Sequence, residues 1–155
     1  MSSNEHFFNS LEKEFEHLRQ KRIVLVGGCF DILHFGHISF LQQAKKTGDF
    51  LVVALENDAF IHMQKKRKPF HTLQERIAIL QEIRTVDSVI SLPLLSGYED
   101  YLKLVKAIHP SIIAVTENDP YLSQKSKQAR AIQAQVKIVI GRIPQHATTS
   151  ILKQL

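Results

Sequence analysis

Two histidines flank a glycine in the string Gly27-Gly28-Cys29-Phe30-Asp31-Ile32-Leu33-His34-Phe35-Gly36-His37. The string runs directly into a stretch with helical apolar spacing. A helix start offers free backbone N–H groups and the positive end of a dipole. Gly36 carries no Cβ, so a ligand can approach the backbone there. His34 and His37 add two ring donors aimed at the same place. Together they form an anion cradle suited to a polyphosphate. On the residues alone, two other readings stay open: an ordinary pair of core or surface side chains, or two metal ligands. Against the metal reading, Cys29 is the only thiol, and no acidic residue shares helical register with the pair.

The elements that must position this cradle alternate along the chain. Ile23–Val26 is a β-branched apolar run ending at Gly27-Gly28, a strand entering a tight turn. Ile38–Lys46 carries Ile38, Leu41 and Ala44 on one helical face, with Gly48 as its stop. Leu51–Leu55, Val89–Leu92, Ile112–Val115 and Val136–Ile140 read as four further strands. Thr72 and Glu75 form a capping box before a helix with Leu73, Ile77, Leu80 and Ile83. Ser96 and Glu99 form a second, before Leu102, Val105 and Ile108, and Pro110 follows the stop. A helix is expected near Leu122–Ala134, and a short one from Thr149. This alternation predicts an α/β domain, residues 21–155, with a five-stranded parallel sheet and helices on both faces. Residues 1–20 form an N-terminal helical extension. Phe7, Phe8, Leu11, Phe15 and Leu18 give it an apolar face, for packing on the body or for a dimer contact. Such sheets bind ligands at the carboxyl ends of their strands, so the loops after Val26, Leu55, Leu92, Val115 and Ile140 are the ones that matter.

At 155 residues one domain is expected. The single cysteine excludes an intrachain disulfide framework and a multi-cysteine zinc site. No apolar run approaches the ~20 residues that cross a bilayer. Met1 to Phe8 is polar and lacks the pattern of a secretory signal, so a cytoplasmic protein without a membrane partner is expected. The net charge of +5 suits anionic partners: nucleic acid, a membrane surface or phosphorylated small molecules. The basic run Lys65-Lys66-Arg67-Lys68 is not interleaved with aromatics, which argues against single-strand nucleic acid. On its own it also reads as a solvated loop.

The string Gly28-Cys29-Phe30-Asp31, then His34, Gly36 and His37, resembles the signature of the cytidylyltransferase-like nucleotidyltransferases. The likeness covers most of residues 21–155. Glu56-Asn57-Asp58 resembles the family's acidic end of the second strand. Gln64–Lys68, His71, Arg76 and Ile83–Asp87 resemble the bacterial glycerol-3-phosphate cytidylyltransferases. Lys21–Val24, the first-loop string and Ile108-His109-Pro110 are more similar to the heptose-1-phosphate adenylyltransferases. Arg142 with Ala147–Ile151 resembles the family's final phosphate-binding motif. The chain departs from the pattern at Glu117 and Asn118, where glycine usually precedes the acid matched by Asp119, and at Ala147, where serine is common.

The resemblance implies a single Rossmann-like domain and nucleotidyl transfer. The phosphate of an acceptor attacks the α-phosphorus of a nucleoside triphosphate and pyrophosphate leaves. A phosphate monoester is largely dianionic at pH 7 and needs no general base. Catalysis is then positioning and electrostatic stabilisation. By this likeness His34, His37, Lys65 and Arg142 are catalytic. Gly28, Cys29, Phe30, Asp31, Gly36, Asp119, Thr148 and Thr149 bind the nucleotide, and Arg67 and Arg84 contact the acceptor or a phosphate. Mg²⁺ is expected with the triphosphate, with no protein metal ligand assigned, and a homodimer is expected. CTP is preferred over ATP as donor, with glycerol 3-phosphate as the type of acceptor; the alternative is ATP with a sugar 1-phosphate. Plainer roles compete: Asp31 tying down its own turn, an Arg84–Asp87 ion pair, Cys29 lining the site, and Thr148 and Thr149 as helix caps. Two rivals of other classes are a nucleotide-binding module without turnover and a basic nucleic-acid-binding protein. Pyrophosphate release and steep salt dependence would separate them.

Overall fold

A computed structural model describes residues 3–141 and 153. Arg142, Ala147, Thr148, Thr149 and the expected last helix lie outside the described residues. Five strands, β1 (Ile23–Gly28), β2 (Phe50–Leu55), β3 (Ser88–Ser91), β4 (Ile112–Thr116) and β5 (Gln135–Ile140), form one parallel sheet in the order β3-β2-β1-β4-β5. The described helices are α1 (Ser3–Glu16), α2 (Phe35–Lys45), α3 (Asp58–Lys65), α4 (Leu73–Gln81), α5 (Gly97–Ile108) and α6 (Leu122–Ala131). The architecture is Rossmann-like α/β.

Strand alternation divides the core in two. Leu25, Val52, Ala54 and Ile113 point to one face, packed with Phe8, Leu11 and Phe15 of α1, Leu104 and Ile108 of α5, and Ala129 of α6. Val24, Val26, Leu51, Val53 and Leu55 point to the other, against Phe40, Leu41 and Ala44 of α2 and Leu80 of α4. Both faces are covered, which is why these strands read as continuous apolar runs. The apolar face of α1 packs on the body of the protein, against α5.

Several local expectations need correction. α3 was not anticipated: Asn57 caps it by accepting the Phe60 N–H at 2.8 Å, but Ile61 is its single fully buried residue, too little for a periodic signal. The second capping box does not form. Ser96 stands at the N-cap without a side-chain cap bond, and Asp100 rather than Glu99 accepts its N–H at 2.9 Å. Gly48 is not the cap of α2, which is Lys46; a Cβ at Gly48 would strike the Arg22 carbonyl and approach Val24 Cγ2 to 2.6 Å. α4 stops before Ile83 and α6 before Ala134. The Thr72–Glu75 capping box is present as expected.

Candidate active site

Strand order reverses between β1 and β4, the switch point at which open α/β sheets bind ligands beyond their carboxyl ends. A cavity of about 160 Å³ opens there, lined by Gly27, Gly28, Cys29 and Phe30 after β1, His37 and Phe40 of α2, and Ala114, Thr116 and Asp119 around the end of β4. Glu117 and Asn118, where the chain departs from the family's glycines, do not line it; Glu117 Oε2 lies beside Gly141. Phe30 is buried with φ 44°, a left-handed conformation rare for a bulky residue. Gly28 makes room for it, since a Cβ there would sit 3.0 Å from the Phe30 ring.

His34 is the N-cap of α2, and its Nδ1 accepts the Gly36 N–H at 3.1 Å. That bond takes one helix-start N–H that the sequence had left for a ligand. It also leaves the proton of a neutral His34 on Nε2 as a donor. His37 stacks on His34 with ring centroids 3.9 Å apart, and Phe30 lies 5.2 Å away on the same ring. Burial and then the neighbouring His34 push His37 down to about 4, against a weaker hydrogen bond with the Ile32 backbone. His37 is therefore neutral at pH 7 and contributes one N–H, not a full positive charge. Its Nδ1 is buried without a partner.

Asp31 does not tie down its own turn. Its carboxylate accepts Arg67 Nη1 at 2.6 Å, the Phe70 N–H at 2.9 Å and the His71 N–H at 3.0 Å, clasping the loop that follows α3. Burial alone would raise its pKa, but the His71 N–H, the Arg67 guanidinium and the Phe70 N–H outweigh it and hold the pKa below the usual value. Arg67 is thus a structural partner of Asp31, with Nη1 also donating to the Lys68 carbonyl. Lys65, exposed at the end of α3, stands close enough to Cys29 to favour its thiolate. Burial prevails and raises the Cys29 pKa, so the residue lines the site as a thiol.

A residue given no site role from sequence holds these loops together. Arg76, 1% exposed, donates Nη1 to the Cys29 carbonyl at 2.6 Å and the Glu56 carbonyl at 2.8 Å, and Nη2 to Asp58 Oδ1 at 2.7 Å. Its Nε reaches the His71 carbonyl at 3.3 Å. Asp119 lines the cavity and pairs with Lys125 at 2.6 Å. Buried Glu56 accepts from the Tyr101 hydroxyl at 2.7 Å. Arg84 is not brought to the site. It lies in the turn entering β3, at the amino ends of the parallel strands. The expected Arg84–Asp87 pair does not form either, because Asp87 pairs with Lys45 at 2.5 Å.

The family described as cytidylyltransferase-like matches residues 25–154. An FAD synthase of Thermococcus kodakarensis is 46% identical over 114 residues, 73% of this chain and 74% of that enzyme. The bifunctional protein HldE of Helicobacter hepaticus is 34% identical over 139 residues, 89% of this chain but 27% of that protein. Among solved structures, a lipopolysaccharide core biosynthesis protein from Thermoplasma volcanium superposes with a TM-score of 0.63 at 29% identity, covering 82% of this chain and 99% of that one.

Proposed function

The chain belongs to the cytidylyltransferase-like family and is a nucleotidyltransferase, and on that premise we propose that it transfers AMP from ATP to the phosphate of FMN, forming FAD and pyrophosphate. The observation that carries this reading is the 46% identity to an FAD synthase across about three-quarters of both chains. It moves the donor from the expected CTP to ATP, and the acceptor from glycerol 3-phosphate to a flavin. A second reading, adenylyl transfer to a sugar 1-phosphate, is favoured by the alignment with HldE over 89% of this chain.

The acceptor phosphate attacks the α-phosphorus. The bond to the bridging oxygen breaks, and its electron pair leaves with pyrophosphate. His34 and the neutral His37, at the start of α2, hydrogen-bond the triphosphate without fixing it too tightly for release. Lys65 neutralises phosphate charge from the opposite loop. Arg142, Thr148 and Thr149 hold the β/γ end. Mg²⁺ would accompany the triphosphate and screen its charge. Among the described residues no three His, Cys, Asp or Glu side chains converge on a cation, so the described protein groups supply no cage for it. Arg76 and Asp31 position the loops.

The test incubates the protein with Mg²⁺, FMN and either ATP or CTP, and separates flavins by chromatography while pyrophosphate is measured. FAD from ATP is expected. Pyrophosphate from ATP with a heptose 1-phosphate, or from CTP with glycerol 3-phosphate, in the absence of FAD formation replaces the flavin reading. Nucleotide binding without pyrophosphate in any mixture leaves a module without turnover. A homodimer, checked by light scattering, is the assembly expected of the enzyme.

A further inference from the structure

One buried carboxyl group beside the cavity is not used by the transfer chemistry. Glu56 is the first residue past β2 and 7% exposed. Its N–H donates to the Gly28 carbonyl at 3.0 Å, which fixes it next to Cys29 in the cavity wall, and the charges of Glu56 and Cys29 influence each other. Strand alternation turns its side chain to the face covered by α5, where the Tyr101 hydroxyl donates to Oε1 at 2.7 Å. Oε2 is buried and has no partner. The nearby cations are already engaged: Arg76 with three oxygens of Cys29, Glu56 and Asp58, and Lys125 with Asp119. Burial raises the Glu56 pKa, against the bond from Tyr101 and the charges of Lys125 and Arg76. Buried polar atoms are almost always paired, so an orphan beside a ligand site calls for a donor from outside the chain.

The cradle of His34 and His37 belongs to α2, which covers the opposite face of the sheet. The triphosphate and Glu56 therefore address the carboxyl edge from two sides, and the second substrate is the one that meets Glu56. Resting on the reading of adenylyl transfer to a phosphorylated acceptor, we infer that Glu56 is a specificity-determining residue. Its unpartnered Oε2 binds a hydrogen-bond donor of the acceptor, a hydroxyl or a ring N–H, while Tyr101 positions the carboxyl group. FMN offers both donors, on its ribityl chain and on its ring imide.

Steady-state kinetics with ATP and FMN varied in turn, on wild type, Glu56→Leu, Glu56→Gln and Tyr101→Phe, test this, with melting temperatures to check each fold. Glu56→Leu is expected to raise the KM for FMN about tenfold or more and to leave the KM for ATP within about twofold. Glu56→Gln keeps one acceptor oxygen and should stay within about threefold of wild type. FMN methylated at the ring imide separates the two donors: a wild-type loss equal to that of Glu56→Leu identifies the ring N–H, and an unchanged KM identifies a hydroxyl. FAD formation with an unaltered KM for FMN in Glu56→Leu overturns the inference and leaves the functional reading standing. So does an equal rise in both KM values, which marks a general structural role. If Glu56→Leu does not fold, an unchanged KM for FMN in Tyr101→Phe overturns it instead. A wild-type protein that makes no FAD overturns the flavin reading, and this inference with it.

Discussion

The two ends of the sheet use the same materials differently. At the amino ends, Asp87 Oδ2 accepts the Leu51 N–H at 2.7 Å and Lys45 Nζ at 2.5 Å, while Asp49 Oδ2 accepts the Arg22 N–H at 2.9 Å. Asp87 is matched there by Lys45, and the unpartnered buried atom, Thr85 Oγ1, is a neutral hydroxyl. The carboxyl ends also clamp backbone with aspartate, through Asp31, but two titratable groups are left incomplete: His37 at Nδ1 and Glu56 at Oε2. Phe30 is held in a left-handed conformation beside them. Left-handed residues occur at both ends, with His109 and Gln133 leading into β4 and β5, so what sets the carboxyl end apart is the unmet hydrogen bonding of its titratable groups, which marks where binding outweighs stability in shaping the structure.

If that contrast is sound, the carboxyl end should depend most on the residue that compensates for it. Arg76→Leu should cost about 2–4 kcal/mol, mainly because it leaves the carbonyls of Cys29, Glu56 and His71 without their donor; the partly exposed Asp58, screened by solvent, adds less. Urea unfolding measures this, and a loss below about 1 kcal/mol would show that the loops do not rely on the guanidinium. His37→Ala comes next and acts on a different quantity. It should lower kcat by about 10²–10³-fold, as removal of a preorganised donor does. The melting temperature should move little, because lost ring packing is set against the removal of an unpartnered nitrogen. Turnover within tenfold of wild type would take His37 out of the catalytic set.

The pH dependence of stability sharpens the contrast within the carboxyl end itself. The pKa of Asp31 is lowered by folding, so its contribution is complete above the usual carboxyl value of 3.8 and is lost as pH falls through the depressed one. Glu56 has the opposite sign. Its pKa is raised above 4.5, so the folded state binds the proton more tightly than the unfolded chain does, and stability declines as pH rises from 4.5 through the raised value. Glu56→Gln should abolish that decline, and Asp31→Asn should flatten the acid limb. Melting temperatures between pH 3 and pH 8 read both effects. A decline that survives in Glu56→Gln would trace the titration to another group.

What could be read from sequence was what lies close together in it. His34, Gly36 and His37 fall within four residues, and the apolar runs of β1, β2 and β4 announce strands buried on both faces. The carboxyl-end cavity followed from topology alone. Arg76 shares in the family resemblance, but its work is invisible in the sequence, because its partners Cys29, Glu56 and Asp58 lie 18 to 47 residues away. The Glu56–Tyr101 bond spans 45 residues and joins a strand end to a helix, with no motif to signal it. The clasp of Asp31 on residues 67–71 is not legible in the sequence either, because it depends on α3, which returns the chain to it.

The smallest expected effect bears hardest on the comparison. The resemblance puts Arg84 in contact with the acceptor or a phosphate, yet it stands exposed at the amino ends, in the turn that leads into β3. A side chain there would have to pass the length of the sheet to reach a phosphate at the proposed cradle of α2. Arg84→Ala should therefore change stability by no more than about 0.5 kcal/mol and either KM by less than about twofold. A tenfold rise in the KM for the acceptor would break the division of labour between the two ends. Within one chain the distance leaves no direct route for such a rise. It would have to come from a second copy presenting its amino end to this carboxyl end, and loss of the effect on dilution to monomer would show it.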